Sequence, residues 1–163
     1  MWFARFPSDV VDDWSRAHEG IVWLSEDGSE GCSYLEVPSH TAIAGVVVVR
    51  LAQTQSLKGD SHGRDALWHY VVATDVLPEQ EADFNAWYGV EHLPGLAAVP
   101  GVVHAARYRV IEGTGPAYLA GYELADRAAF NSPPWLAVRG TAWSSRVRPY
   151  FFNTRRTMYR RVA

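Results

Sequence analysis

Four side chains carry the chemistry of acid–base catalysis: His92, Tyr88, His69 and His104. His92 follows Tyr88 by one helical turn within FNAWYGVEHLP, so the two can share a helix face. A histidine at a helix C-terminus gains proton affinity and titrates near neutrality, where a general acid or base must work. Tyr88 could donate to a carbonyl or enolate oxygen, or orient His92. Glu91, adjacent on the helix, points elsewhere and reads as a solvated carboxylate. His69 and His104 belong to strand-like segments and are candidates for a second acid–base group. Each has a structural alternative: His92 capping helix carbonyls, Tyr88 packing in the core, His69 and His104 satisfied within a sheet.

Around these stand residues suited to pocket walls. Arg107 could hold a carboxylate or phenolate bidentately, or form a surface ion pair. Trp87, Tyr108, Tyr118 and Tyr122 offer aromatic faces with one polar atom each. Trp14 and His18 would be counterparts of Trp87 and His92 if the chain contains a repeat. His69, His92 and His104 could converge, but no metal-binding spacing is present, and no metal is expected. No phosphate loop or nucleophile elbow occurs, no cofactor is expected, and haem is not demanded by any residue. Cys32 reads as a packing residue in a strand.

The elements that must position these groups are punctuated clearly after Gln53–Asp65, a polar stretch with two glycines that reads as a linker. Residues Leu67–Asp75 read as a strand. A helix follows from Pro78 to about His92, stopped by Pro94 and Gly95. Val102–Ile111 and Ala117–Leu124 form a hairpin across EGTGP. Asp126 can cap a second helical region, which Pro133 and Pro134 interrupt early and which continues through Trp135 to about Arg146, and Arg155–Val162 is the last strand. The order is β-α-β-β-α-β, the ferredoxin-like split unit. The first half reads as a degenerate copy: strand Trp2–Phe6, a helix capped by Ser8 and carrying Val11, Trp14 and His18, then a hairpin of Ile21–Leu24 and Cys32–Val37. Ala42–Leu51 reads as a short helix or a final strand, with Val46–Val49 favouring the strand. The expected organisation is residues 1–52 as the degenerate half, 53–66 as linker and 67–163 as the C-terminal module.

A sheet with helices on one face only must bury its other face. In Val102–Ile111, His104, Ala106, Tyr108 and Val110 alternate with Val103, Ala105, Arg107 and Arg109, and neither set is plainly a solvent face. Two such sheets packed face to face around a cavity rimmed by Tyr, His and Arg would account for both sets. The segment EADFNAWYGVEHLPGLAAVPGVVHAARYR, followed by YLAGYEL, resembles the dimeric α/β-barrel superfamily and especially its EthD-like members. The matching positions are Trp87-Tyr88, Glu91-His92-Leu93-Pro94 and Val99-Pro100-Gly101. The resemblance implies an α+β fold of ferredoxin-like modules closing a dimeric or pseudo-dimeric barrel. It implies no single reaction, because such proteins include cofactor-free monooxygenases, polyketide cyclases, lactone isomerases, dehydratases and haem-binding enzymes.

Composition narrows the function further. A formal net charge of −3 argues against nucleic-acid binding. The late arginines, Arg139, Arg146, Arg148, Arg155, Arg156, Arg160 and Arg161, read as a solvated or partner-facing surface. With 7 Trp and 8 Tyr, the chain is rich in residues that wall small-molecule pockets or fill aromatic cores. One cysteine, no leader in MWFAR and no membrane-length apolar run make a cytoplasmic protein the expectation. The sequence thus points to a cofactor-independent enzyme, a cyclase, isomerase, dehydratase or monooxygenase. It would use His/Tyr acid–base chemistry on an aromatic, polyketide-like or lactone substrate and associate as a homodimer. The alternative is a non-catalytic ligand-binding or assembly protein of the same fold.

Overall fold

The computed structural model describes residues 1–37 and 44–162. Its strands are β1 (Trp2–Pro7), β2 (Val22–Ser25), β3 (Glu30–Leu35), β4 (Val47–Lys58), β5 (Trp68–Val76), β6 (Val102–Glu112), β7 (Tyr118–Leu124) and β8 (Phe151–Arg161). All eight join antiparallel partners in one closed barrel of order β1-β3-β2-β8-β5-β7-β6-β4. The fold is therefore α+β, and the barrel closes within one chain. Its halves are sewn together by the β2–β8 and β4–β6 ladders.

Closure sorts the side chains into three apolar layers. The lumen holds Phe3, Trp23, Cys32, Leu51, Val71, Tyr108, Leu119 and Tyr159. Outside the C-terminal half lie the helices α2 (Glu81–Trp87), α3 (Leu93–Ala97), α4 (Pro133–Arg139) and α5 (Ala142–Val147). They bury Tyr70, Phe84, Trp87, Leu96, Tyr122 and Trp135 against the sheet. Outside the N-terminal half, α1 (Val11–Ala17) covers Ala4, Phe6, Val22 and Leu35 with Val11 and Trp14. The period of two along each strand dictates this division, since alternate side chains must take opposite faces.

Several local expectations are corrected. The helix does not stop at Pro94: a π-helical turn, Tyr88–His92, joins α2 to α3, and Pro94 sits in the first turn of α3, where its missing N–H costs little. The second helical region is broken at Gly140, and the Thr141 side chain caps α5 by accepting from Ser144 N at 3.0 Å. Asp126 does cap, accepting from Ala128 N at 2.8 Å, but over a short 3-10 turn. At the first helix the cap positions fall on Pro7 and Val10, without a side-chain capping bond. Strand β8 starts at Phe151, ahead of Arg155, because Asn153 adopts φ 49° and lets the strand pass an irregularity opposite Ala73–Asp75. Of the segment Ala42–Leu51, residues 42 and 43 lie outside the described residues, and the strand begins at Val47.

The first part of the stretch read as a linker, Gln53–Lys58, is strand. β4 continues to Lys58, pairing Gln55–Lys58 with His104–Arg107, and Gly59 N and Ser61 N then donate to Val103 O and Val102 O. Its polar composition reflects exposure along that strand, with Gln53, Thr54, Ser56 and Lys58 all exposed. Among the described residues no helix is long and apolar enough to cross a membrane.

Candidate functional site

The sequence-predicted residues fall in three separate places: the lumen, the helix layer over the C-terminal half, and the layer under α1. In β6, His104 and Tyr108 point into the lumen, whereas Arg107 points out toward the helices. His69 faces the lumen from β5. Tyr118 and Tyr122 on β7 face the helices, where Trp87, Tyr88 and His92 lie. Trp14 and His18 stack at 4.0 Å beneath α1, with Trp14 Nε1 donating to Ser33 Oγ at 2.8 Å, and line neither cavity described below. Among the described residues the Tyr, His and Arg groups do not rim one cavity, because neighbours in sequence on a strand occupy opposite faces. His92, in the helix layer outside the sheet, does not converge with His69 and His104, which face the lumen.

The helix-side cleft collects the larger set. Arg107 is 5% exposed, with its guanidinium 4.3 Å from the Tyr88 ring centroid, 4.7 Å from Phe84 and 4.9 Å from Tyr118. Its Nη2 donates to Asn85 Oδ1 at 2.7 Å, so this buried cation is held by aromatic faces and one amide. Burial lowers its pKa. His92 is 8% exposed, stacked on Trp87 at 4.1 Å and edge-on to Tyr88 at 5.2 Å. Burial, reinforced by Arg139, Arg148 and Arg107, pulls its pKa down to about 3, so the ring is neutral at pH 7. The expected boost from a helix C-terminus is outweighed by desolvation. Tyr88 is pushed up to about 12 by burial and stays a phenol. Glu91 is engaged by Thr141, whose Oγ1 donates to it at 2.6 Å.

Four buried polar atoms here lack a well-formed hydrogen bond: His92 Nδ1, Tyr122 Oη, Trp135 Nε1 and Arg107 Nε. Three of these residues line a void of about 30 Å³ whose rim carries Arg139, Arg148 and Arg156. None of these three arginines is in an ion pair among the described residues. Arg148 has its pKa lowered by burial and by Arg139 and Arg156. Sequence reasoning missed Asn85 and Trp135 and assigned the three arginines to a solvated surface. A visible signal was their interleaving with Trp135, Trp143 and Phe151 over the last helix and strand.

The lumen holds a second set. A cavity of about 270 Å³ opens at the mouth marked by Met1 and Ile21 and is walled by Trp23, Tyr34, His69, His104, Tyr108 and Glu123. In the sheet register Glu123 lies opposite His69 on one side and His104 on the other. His69 Nε2 and Tyr34 Oη are hydrogen-bonded at 3.0 Å, while His104 Nε2 meets Ser56 Oγ at 2.8 Å. His69 is 2% exposed; burial takes its pKa to about 3, opposed only weakly by the Tyr122 backbone, and its Nδ1 makes no hydrogen bond of good geometry. Gly121 makes room for this pair, since a Cβ there would stand 2.8 Å from His69 Cε1 and 3.1 Å from Tyr34 Oη.

No protein-family model and no curated protein matches the sequence. Solved structures match its fold. An anthrone oxidase-like protein is 16% identical over 99% of this chain and 90% of its own, with a TM-score of 0.60. A ferredoxin-fold protein of Listeria monocytogenes related to antibiotic biosynthesis monooxygenases is 12% identical, covering 100% and 95%, at 0.60. A major regulator of staphylococcal pathogenesis is 8% identical, covering all of both chains, at 0.61. The chain shares the ferredoxin-type α+β barrel architecture of these proteins, with its eight strands closing in one polypeptide. At such identities the likeness fixes architecture and leaves activity to the site itself.

Proposed function

We propose that the protein is a small-molecule enzyme working in the helix-side cleft, on a planar organic substrate that carries negative charge, by proton transfer at His92. The observation that carries this reading is the gathering of His92, Tyr122 and Trp135, whose buried polar atoms lack well-formed hydrogen bonds, behind Arg139, Arg148 and Arg156, which form no ion pair among the described residues. Each such atom costs about 1–3 kcal/mol if left unbonded, a debt a ligand can remove. Arginines recognise carboxylates and phenolates in a planar, bidentate manner, and the cleft's Trp and Tyr rings favour a flat partner.

The electrostatics give the substrate a part in its own reaction. His92 is a poor base in the free protein, because burial and neighbouring arginines oppose its protonation. An anion bound at Arg139 and Arg148 cancels that repulsion and raises the proton affinity of His92. His92 can then take a proton from the substrate while Tyr88 and Tyr122 donate to the enolate or phenolate oxygen that develops. Such an anion serves isomerisation, cyclisation and dehydration, and also oxygen insertion with dioxygen as co-substrate. The names of the anthrone oxidase-like and monooxygenase-related neighbours favour aromatic, polyketide-like substrates within this range. The void admits about one water as it stands, so substrate entry requires the arginine side chains to swing outward.

The test is turnover of a panel of anthrones, hydroxylated polyaromatic acids and lactones, followed by mass spectrometry with and without oxygen. Loss of product in His92→Ala and weakened binding in Arg148→Ala would support the reading. Binding of no anionic planar compound, or full turnover by His92→Ala, would sink it. The second reading, favoured by the size of the void, is a water bridging the unpartnered atoms in a non-catalytic protein.

A further inference from the structure

The lumen cavity lies on the opposite face of the sheet from the cleft and shares no lining residue with it. Its central feature is Glu123, half-buried on β7 between His69 and His104. Glu123 has no ion-pair partner among the described residues. His69 stays neutral, and His104 Nε2 is hydrogen-bonded to Ser56. Burial raises the Glu123 pKa, opposed by His104 and by Arg161, exposed at the end of β8, neither of which comes within ion-pairing distance. A carboxylate in this setting needs a positive or strongly donating partner.

The rings around it have the arrangement that such a partner would use. Trp23 lies 5.1 Å from His69, Tyr34 lies 5.6 Å from His69, and Tyr34 lies 6.0 Å from Tyr108. All four line the same cavity as Glu123. Aromatic faces beside a carboxylate are the recognition chemistry of organic ammonium ions. A volume of about 270 Å³ is near the lower end for ligand sites and exceeds what one or two waters fill. We infer that the barrel lumen is a second small-molecule site, built to take a small organic ammonium ion against Glu123 within the Trp23, Tyr34 and Tyr108 rings. The site is independent of the reaction assigned to the helix-side cleft.

The test is isothermal titration of the full chain with methylammonium, tetramethylammonium and choline, beside 3,3-dimethylbutan-1-ol, the uncharged isostere of choline. At least one cation should bind, and Glu123→Gln should weaken it by roughly tenfold or more. The neutral alcohol should bind more weakly than choline. Ala106→Leu, which fills the lumen from β6, should abolish cation binding while circular dichroism shows the fold retained. Failure of all three cations to bind overturns the inference. So does equal binding by the alcohol, or unchanged affinity in a folded Glu123→Gln.

Discussion

Trp87 and His92 lie face to face, ring centroids 4.1 Å apart at 22°, although His92 follows by five positions rather than four. The π-helical turn Tyr88–His92, in which Leu93 N donates to Tyr88 O, supplies the extra residue and returns His92 to the Trp87 face. In the N-terminal half Trp14 and His18 stack in nearly the same way, at 4.0 Å and 21°, with the ordinary α-helical spacing. Each half thus carries a Trp–His stack, with one more intervening residue between Trp87 and His92 than between Trp14 and His18. π-Bulges of this kind recur at functional sites.

Deletion of Val90 should therefore be tolerated. Val90 is 72% exposed, and removing it turns the π segment into regular helix with His92 four residues after Trp87. Stability should change by less than about 1 kcal/mol, and the ring-current shift of the His92 protons should persist. Deleting Ala86 instead rotates Phe84 away from Trp87 and should cost about 3 kcal/mol or more. Thermal denaturation and NMR of the two variants decide the matter; equal damage would refute the bulge argument.

Stability should fall as pH drops from about 6.5 toward 3. His69 and His92 have folded-state values of about 3 against 6.5 in the unfolded chain. Between those limits the unfolded state binds more protons, so stability rises with pH and is complete only above 6.5. Each histidine should contribute on the order of a few kcal/mol across this window. Urea midpoints at pH 7, 5 and 4 should decline in step, and His69→Asn with His92→Gln should flatten the slope. Midpoints that do not move would show that both rings protonate in place.

Gly121→Ala should destabilise by about 1–3 kcal/mol. The new methyl group would press on His69 and Tyr34 at distances below ordinary contact, and both partners are held by neighbouring rings. Loss of the Tyr34–His69 hydrogen bond should appear as faster exchange of the Tyr34 hydroxyl proton. A fully stable variant with that bond intact would show that the lumen repacks freely.

The strand and helix order of residues 67–163 was legible because turns such as EGTGP, VPG and LPE punctuate short segments of clear period. Trp87, Tyr88, His92, Arg107, Tyr118 and Tyr122 were selected by residue type, and the fold does bring them together. The bulge was not legible, because Pro94 and Gly95 give the same signal whether they end a helix or follow a π turn. Asn85 and Trp135 gave no signal of their own; their importance lies in what they touch across long sequence separations.

By itself, the sequence determined which residues alternate and so which share a face: His104 with Tyr108, and Arg107 with Arg109. It could not determine which face is the lumen, because both faces of a strand in a helix-covered barrel are buried, and burial leaves no polar side to mark the outside. That choice came with closure of the eight strands, where the β2–β8 and β4–β6 ladders fix the sense of curvature. Closure separated His69 and His104 from His92 and placed two cavities of different chemistry on opposite faces of one sheet.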